Sequence, residues 1–321
     1  MIVSNIVFLD AATLSIGDID FAELDKLGSV KIYERTTHDE VISRCKDATI
    51  IITNKVVIDK SAIAQLANLR YICVAATGYN VVDVKAASAR GIPVSNVSGY
   101  STPSVVQHVF AMILSTLNKV ESYSQQTAKG RWQESIDFTF YDHSISELAG
   151  KTLGIFGYGT IGEQVGKVAL AFGMNVMAVK RSVAAGTEVN GVQFVSKKQL
   201  FAESDILSLH APLTAETKGI INYEVLQTMK SSAILVNTGR GPLIVEADLA
   251  KALQEDQIAY ACLDVLSSEP PEINSPLIGL PNCIITPHQA WASQQSRQRL
   301  LDGLVANIDA YHVGNILNRV G

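Results

Sequence analysis

Short apolar runs alternate with helix-spaced apolar positions along almost the whole chain. In the first third, strand-length runs fall at 5–9, 30–33, 49–53, 71–75 and 93–97. Helical patterns lie between them, including 60–67 and 82–90, the latter stopped by Gly91. Strands alternating with helices predict a parallel sheet covered by helices on both faces. Ser101-Thr102-Pro103 then has the form of a helix start, a capping hydroxyl followed by proline at the first helical position. From there to about residue 120 the pattern is apolar nearly all round, which predicts a buried helix between two domains. His108 on that helix reads as a packed core residue. After residue 150 the strand pattern resumes at 153–156, 175–179, 192–195, 206–210, 233–238, 258–265 and 283–287. A last helix over 291–313 carries Leu300, Leu301, Leu304, Val305 and Ile308 on one face, and is expected to return to the first domain.

The stretch KTLGIFGYGTIGEQVGKVALAFGMNVMAVKR, residues 151–181, organises the rest. An apolar run at 153–156 leads into Gly157, Gly159 and Gly162 in G-x-G-x-x-G spacing. A helix follows with Ile161, Val165, Val168, Ala169 and Phe172 on one side, ending near Gly173, and a second strand covers 175–179. This strand–turn–helix–strand unit of about 30 residues lifts the glycine motif above chance. Gly157 permits the tight turn, Gly159 lets a pyrophosphate approach the backbone, and Gly162 lets helix and strand pack closely. The helix N-terminus offers free N–H groups and partial positive charge to phosphates. A dinucleotide is expected here, touching Tyr158, Thr160 and Ile161 as well as the glycines. The expected fold class is α/β, two doubly wound parallel-sheet domains with a cleft between them. A flavodoxin-like substrate domain takes 1–99 and 291–321, and a Rossmann dinucleotide-binding domain takes 100–290.

Composition narrows the classes. At 321 residues the chain is long enough for two domains of about 150 each. Hydrophobic content of 47% with 18% charged residues excludes a disordered chain. A net charge of −5 argues against a nucleic-acid surface. Cys45, Cys73, Cys262 and Cys283 are scattered without metal-ligand spacing and read as buried small residues in a reducing cytosol. The first residues show no basic leader or cleavage site, and no apolar run approaches the ~18 residues of a membrane helix. A cytoplasmic protein without metal or membrane contact is expected.

Ligands of open parallel sheets sit beyond the carboxyl ends of the strands. Those ends deliver the glycine turn, then Lys180-Arg181-Ser182, His210-Ala211-Pro212, Thr238-Gly239-Arg240, Asp264 and His288. Carbonyl reduction needs a proton donor near neutral pH, and histidine suits it. A carboxylate such as Glu269 beside His288 favours the protonated ring, and Arg240 offers a planar fork for a substrate carboxylate. Each also has a plainer reading: a strand-end hydrogen bonder, a solvated loop charge, a structural ion pair. Spacing alone does not bring the three together.

Several stretches resemble the D-isomer-specific 2-hydroxyacid dehydrogenase family, and most its glycerate dehydrogenase (hydroxypyruvate reductase) branch. They are FLD near the start, ATGYNVVD, GYSTPSVVQH, ELAGKTLGIFGYGTIG, LHAPLT, VNTGRG, LDVLSSEPP and ITPHQAWAS, which together span the chain. The resemblance implies His288 as acid/base, Glu269 as its partner, and Arg240 as anchor for the substrate carboxylate and carbonyl. It implies backbone N–H groups around Thr77 and Gly78 on the carboxylate and Tyr100 near the substrate. Asp264 falls at the position near the nicotinamide carboxamide, with a turn-capping carboxylate as the alternative. His210, Ala211 and Pro212 would line the adenosine side, with Ser104, Thr217, Thr238 and Gly239 among the cofactor contacts. Family members are usually dimers, which suits the aromatic arm at 121–150 with Trp132, Phe138, Phe140 and Tyr141.

One departure bears on the cofactor. NAD-using relatives carry an acid after the second strand to accept from the ribose hydroxyls. This chain has Lys180-Arg181-Ser182 there, and the next acid is Glu188. Cations cannot accept from the ribose but can pair with a 2′-phosphate, so NADP is expected over NAD. The expected reaction is reduction of a small 2-keto acid to a D-2-hydroxy acid, hydroxypyruvate to D-glycerate by preference and glyoxylate second. D-Lactate dehydrogenase is the rival branch, phosphoglycerate dehydrogenase a weaker one because no additional regulatory domain is seen. Outside catalysis, a nucleotide-sensing repressor or scaffold is the alternative.

Overall fold

A computed structural model describes residues 4–321. These form two compact units, one comprising the described residues to Ser101 together with Trp291–Gly321, the other Thr102–Ala290. Among the described residues, no helix is long and apolar enough to cross a membrane.

The first unit holds β1 (Asn5–Phe8), β2 (Ser29–Ile32), β3 (Ile50–Thr53), β4 (Tyr71–Val74) and β5 (Val94–Ser95). The sheet order is β2-β1-β3-β4-β5, with a C-terminal strand, Arg319–Val320, outside β5. β3 and β4 are buried at every position, the consequence of apolar side chains on both faces of a covered parallel sheet. Neighbours pair in parallel, with registers such as Ile6↔Ile50 and Ile51↔Ile72. The exception is Arg319–Val320, antiparallel to β5, so the sheet is mixed at that edge rather than wholly parallel. β5 is also shorter than the expected 93–97: Pro93, with no N–H to donate, precedes it, and it ends at Ser95.

The helix Gln294–His312 belongs to this unit. Ser293 caps it, its hydroxyl accepting from Ser296 N at 3.2 Å, which explains a start three residues inside the expected 291. Leu300, Leu301, Leu304 and Ile308 are buried against Ile6, Phe8, Ile50 and Ile52. Each such side chain contributes roughly 1.5–3 kcal/mol through its removal from water.

The second unit holds β6 (Thr152–Phe156), β7 (Asn175–Val179), β8 (Glu188–Val189), β9 (Val192–Phe194), β10 (Ile206–Leu209), β11 (Ile234–Asn237), β12 (Tyr260–Leu263) and β13 (Cys283–Ile285). Their order is β13-β12-β11-β10-β6-β7-β9-β8. The chain runs outward from β6 through β7 and β9, then returns to β10 and runs the other way. The strand order therefore reverses between β6 and β10, the place where open α/β sheets bind ligands. β8 is antiparallel to β9, a second departure from an all-parallel sheet. Alternate strand residues enter two core layers: Phe156, Leu207, Leu235 and Leu263 on one face, Leu153, Ile155, Ile206 and Val236 on the other.

The helix Thr102–Asn118 joins the second of those layers through Val105, Val109, Met112 and Ile113. It is not buried all round: Pro103, Gln107, Ala111 and Ser115 form an exposed strip at four-residue spacing. Phe172 likewise falls outside the expected buried helix face. It caps the C-terminus of Thr160–Ala171, remains 41% exposed and stacks on Phe110. Cys45, Cys73 and Cys262 are buried, whereas Cys283 is only half-buried because β13 is an edge strand.

Candidate active site

At the end of β6, each glycine of the turn meets a different demand. Gly157 has φ of +100°, and a Cβ there would lie 2.4 Å from Ala211 N. At Gly162 a Cβ would lie 2.5 Å from Gly157 O and 3.0 Å from Ile155 Cγ2, so the helix packs against the strand at glycine distance. Gly159 is different: nothing lies within 4 Å of its Cβ position. It is also the N-cap of Thr160–Ala171, and no side chain caps that helix. Open space in front of an uncapped helix N-terminus suits a phosphate.

A cavity of about 420 Å³ opens from this turn. Gly157, Tyr158 and Gly159 line it with Lys180, Arg181 and Ser182 after β7, His210, Ala211 and Pro212 after β10, and Thr217. Ten of the sequence-predicted cofactor residues thus converge there, although 60 positions separate the first from the last by number. Lys197, Thr214 and Glu216 line it too and were not anticipated. Lys197 follows the cap residue Ser196 of the helix Lys197–Glu203 and lines the same cavity as Lys180.

The cavity's electrostatics are graded. Burial pushes the His210 imidazole down to about 4, and its Nε2 lies 2.8 Å from Ser208 Oγ. It is a neutral wall group at neutral pH. Lys180 and Arg181 are exposed. Glu163, in the first turn of Thr160–Ala171, is held below its usual range chiefly by Lys167, with the nearby Lys180 adding to the effect. The Thr217 hydroxyl donates to Pro212 O at 2.7 Å, shaping the turn between them. Thr160 and Ile161 open the helix, and Ser104 Oγ donates to Ala290 O at 2.7 Å.

A smaller cavity of about 120 Å³ is lined by Arg240, Gly241, Glu269 and His288. The three chemically interesting side chains therefore do meet. His288 Nδ1 lies 2.6 Å from Glu269 Oε2, and Glu269 Oε1 accepts from Leu266 N at 3.0 Å. With Nδ1–H given to the carboxylate, Nε2 is the ring atom free to exchange a proton with a bound molecule. His288 adopts φ of +51°, a left-handed conformation rare for a residue with a side chain and concentrated at functional sites.

Arg240 is carried by a turn that Asn237 braces. Asn237 Oδ1 accepts from Gly239 N at 3.0 Å and its Nδ2 donates to Arg240 O at 2.9 Å. Asn237 was not among the expected residues, although an Asn two positions before a Gly is a readable turn signal. Next to it, Thr238 Oγ1 is buried with no hydrogen-bond partner among the described residues. An orphaned hydroxyl beside the cavities is a group a bound cofactor can satisfy. Together with the open Gly159 cradle, it shows that the residues present fit a dinucleotide.

Asp264 is almost fully buried. Its Oδ1 accepts from Thr286 Oγ1 at 2.6 Å and Gln289 N at 2.9 Å, and its Oδ2 from Ala290 N at 2.9 Å. The turn-capping reading describes these bonds. His108 corrects another expectation: rather than packing as an apolar core residue, it sets Nε2 2.9 Å from Thr286 Oγ1.

Thr77, Gly78 and Tyr100 lie in the first unit. Thr77 and Gly78 form the turn after β4, where Thr77 O accepts from Asn96 Nδ2 at 2.7 Å. Tyr100 is buried, edge-on to Trp291 with ring centres 6.2 Å apart, and its carbonyl accepts from Arg299 Nε at 2.8 Å.

Known proteins resemble this chain over most of its length. Residues 110–290 match the family model described as D-isomer specific 2-hydroxyacid dehydrogenase, NAD binding domain. The hydroxypyruvate reductase of Blautia hydrogenotrophica is 43% identical over 98% of this chain and 99% of its own length. The glycerate dehydrogenase of Methylorubrum extorquens is 39% identical over 98% of each chain. Among solved structures, an acyclic imino acid reductase in complex with NADPH and D-Arg superposes with a TM-score of 0.84 at 30% identity, covering 99% of this chain and 100% of that one. The chain belongs to the D-isomer-specific 2-hydroxyacid dehydrogenase family.

Proposed function

We propose that the chain reduces hydroxypyruvate to D-glycerate, takes glyoxylate as a second substrate, and uses NADPH in preference to NADH. The observation that carries the reading is the His288–Glu269 contact of 2.6 Å inside a cavity also lined by Arg240. The names of the hydroxypyruvate reductase and glycerate dehydrogenase relatives support the substrate. Lys180 and Arg181 on the wall of the larger cavity support the cofactor.

When bound, the reduced nicotinamide supplies a hydride to the keto carbon of the substrate. Arg240 holds the substrate carboxylate and carbonyl, and backbone N–H groups around Thr77 and Gly78, with Tyr100, complete the substrate contacts. His288 gives the proton on Nε2 to the oxygen as the carbonyl becomes a hydroxyl. Glu269 accepts from Nδ1 and so holds the ring with Nε2 turned to the transfer. Gly157, Gly159 and the N-terminus of Thr160–Ala171 hold the pyrophosphate, and His210, Ala211 and Pro212 face the adenosine. Lys180 and Arg181 pair with a 2′-phosphate.

The arm after Val120–Ala128 leaves Trp132, Ile136, Phe138 and Tyr141 exposed. A second copy of the chain is the occupant we assign to it. Free thiols at all four cysteines suit a reducing compartment such as the cytoplasm. A panel of 2-keto acids assayed with NADPH and NADH tests the reading. Hydroxypyruvate should give the highest kcat/KM, and failure of every 2-keto acid to oxidise either cofactor would refute it.

A further inference from the structure

His108 and His288 stand 180 positions apart in the chain, yet one hydroxyl separates His108 from the catalytic turn. Thr286 Oγ1 lies 2.6 Å from Asp264 Oδ1 and 2.9 Å from His108 Nε2. A hydroxyl has a single proton. Since Asp264 is an acceptor, that proton goes to the carboxylate, and His108 Nε2–H must be the donor to Thr286. The geometry thereby selects one tautomer of His108. His108 Nε2 also approaches Asp264 Oδ1 to 3.5 Å, with both side chains largely shielded from water.

Asp264 distributes this contact over the whole turn. Its carboxylate accepts from Gln289 N and Ala290 N, and its main-chain oxygen accepts from His288 N at 2.9 Å. These bonds bracket the one residue of the turn held in the left-handed conformation, His288 with φ of +51°. Such a conformation persists only where its surroundings over-determine it. Ser104, one turn earlier on the helix that carries His108, adds a bond to Ala290 O.

We infer that His108 is a positioning residue for the reaction. It fixes the Thr286 hydroxyl on Asp264, and the resulting strut holds the turn that aims His288 at Glu269. The inference rests on the assignment of proton transfer to His288. The charged or titratable groups around that imidazole are Glu269 in direct contact, Arg240 in the same cavity, Asp264 behind the turn, and Glu246, which accepts from Ser267 N on the Glu269 loop. None of these is removed by changing His108, which is itself a further titratable group 3.5 Å from Asp264, so rescue by an uncharged donor reports aim rather than charge.

The test compares His108→Phe, which keeps ring volume without the donor, with His108→Gln, which returns an N–H donor. Loss of a single hydrogen bond predicts a fall in kcat of roughly 3- to 10-fold for His108→Phe. KM for hydroxypyruvate and Kd for NADPH should be unchanged. His108→Gln should restore kcat. Should His108→Phe fold poorly, Thr286→Val removes the middle hydroxyl instead and should give the same fall in kcat at unchanged KM. Wild-type kcat in His108→Phe, or equal losses in the Phe and Gln variants, would overturn the inference. His288→Ala run alongside separates the two claims. Normal turnover there removes the acid assignment itself, whereas an inert His288→Ala beside a wild-type-like His108→Phe removes only the strut.

Discussion

Glu269 accepts from His288 through one carboxylate oxygen, Oε2 at 2.6 Å, while its other oxygen is tied to Leu266 N. A carboxylate anchored at one end and bonded at the other orients the imidazole. Glu269→Gln keeps the shape and removes the charge. The acceptor that orients Nδ1 is then weakened, so kcat should fall while NADPH affinity stays near that of the unmodified protein. Steady-state rates and nucleotide binding check this, and an unchanged kcat would uncouple Glu269 from the acid.

Gly241 sets the distance between the Arg240 turn and the loop that bears Glu269. A Cβ at Gly241 would lie 2.0 Å from Leu266 C and 2.4 Å from Ser267 N. Those are backbone atoms that cannot yield locally, so Gly241→Ala must push the two loops apart. Overpacking of this kind costs about 1–3 kcal/mol. The variant should melt at lower temperature and lose kcat, while its NADPH affinity, read by nucleotide fluorescence, should stay near wild type. Unaltered kcat would show that the spacing of Arg240 from Glu269 is not critical.

Lys180 and Arg181 are exposed on the cavity wall, and solvent weakens what each can contribute. A hydrogen bond to a charged group contributes about 1.5–3 kcal/mol before that reduction. Two of them predict an NADPH preference on the order of 10- to 10³-fold in kcat/KM. Lys180→Asp with Arg181→Ala should weaken use of NADPH and improve use of NADH by supplying a ribose acceptor. A clear NADH preference in the unmodified protein would contradict the assignment of these cations.

His210 predicts a pH dependence of stability. Burial holds it at about 4 in the folded chain, below the ordinary histidine value of about 6.5. Between those values the unfolded chain binds the extra proton and the folded chain does not. Its contribution to stability is therefore complete above about pH 6.5 and is lost as pH falls toward 4. His210→Asn should flatten the fall in denaturation midpoint across that window. Equal slopes for the two proteins would show that His210 is not the group responsible.

Much of this was legible because it is local. The glycine turn, the apolar strands and the strand-end residues Arg240 and His288 follow from periodicity over a few positions. What was hidden depends on pairing between distant segments. His108 looked like core because its helix is apolar, and its partner Thr286 lies on an edge-strand turn 178 positions away. Lys197 carries no motif and reaches the cavity only through the fold. The strands Glu188–Val189 and Arg319–Val320 are two residues each, too short for alternation to register. The solvent strip on Thr102–Asn118 is carried by Ala111 and Pro103 beside polar Gln107 and Ser115, a weak contrast in hydrophobicity.

The central claim is that His288 delivers the proton that accompanies hydride reduction. It is tested most directly by the rate of NADPH oxidation with hydroxypyruvate in the unmodified protein and in His288→Ala, with NADPH affinity measured on both. The account predicts a loss of about 10²- to 10⁴-fold in kcat, the usual contribution of a placed general acid, at unchanged NADPH affinity. Near-normal turnover in His288→Ala would contradict it.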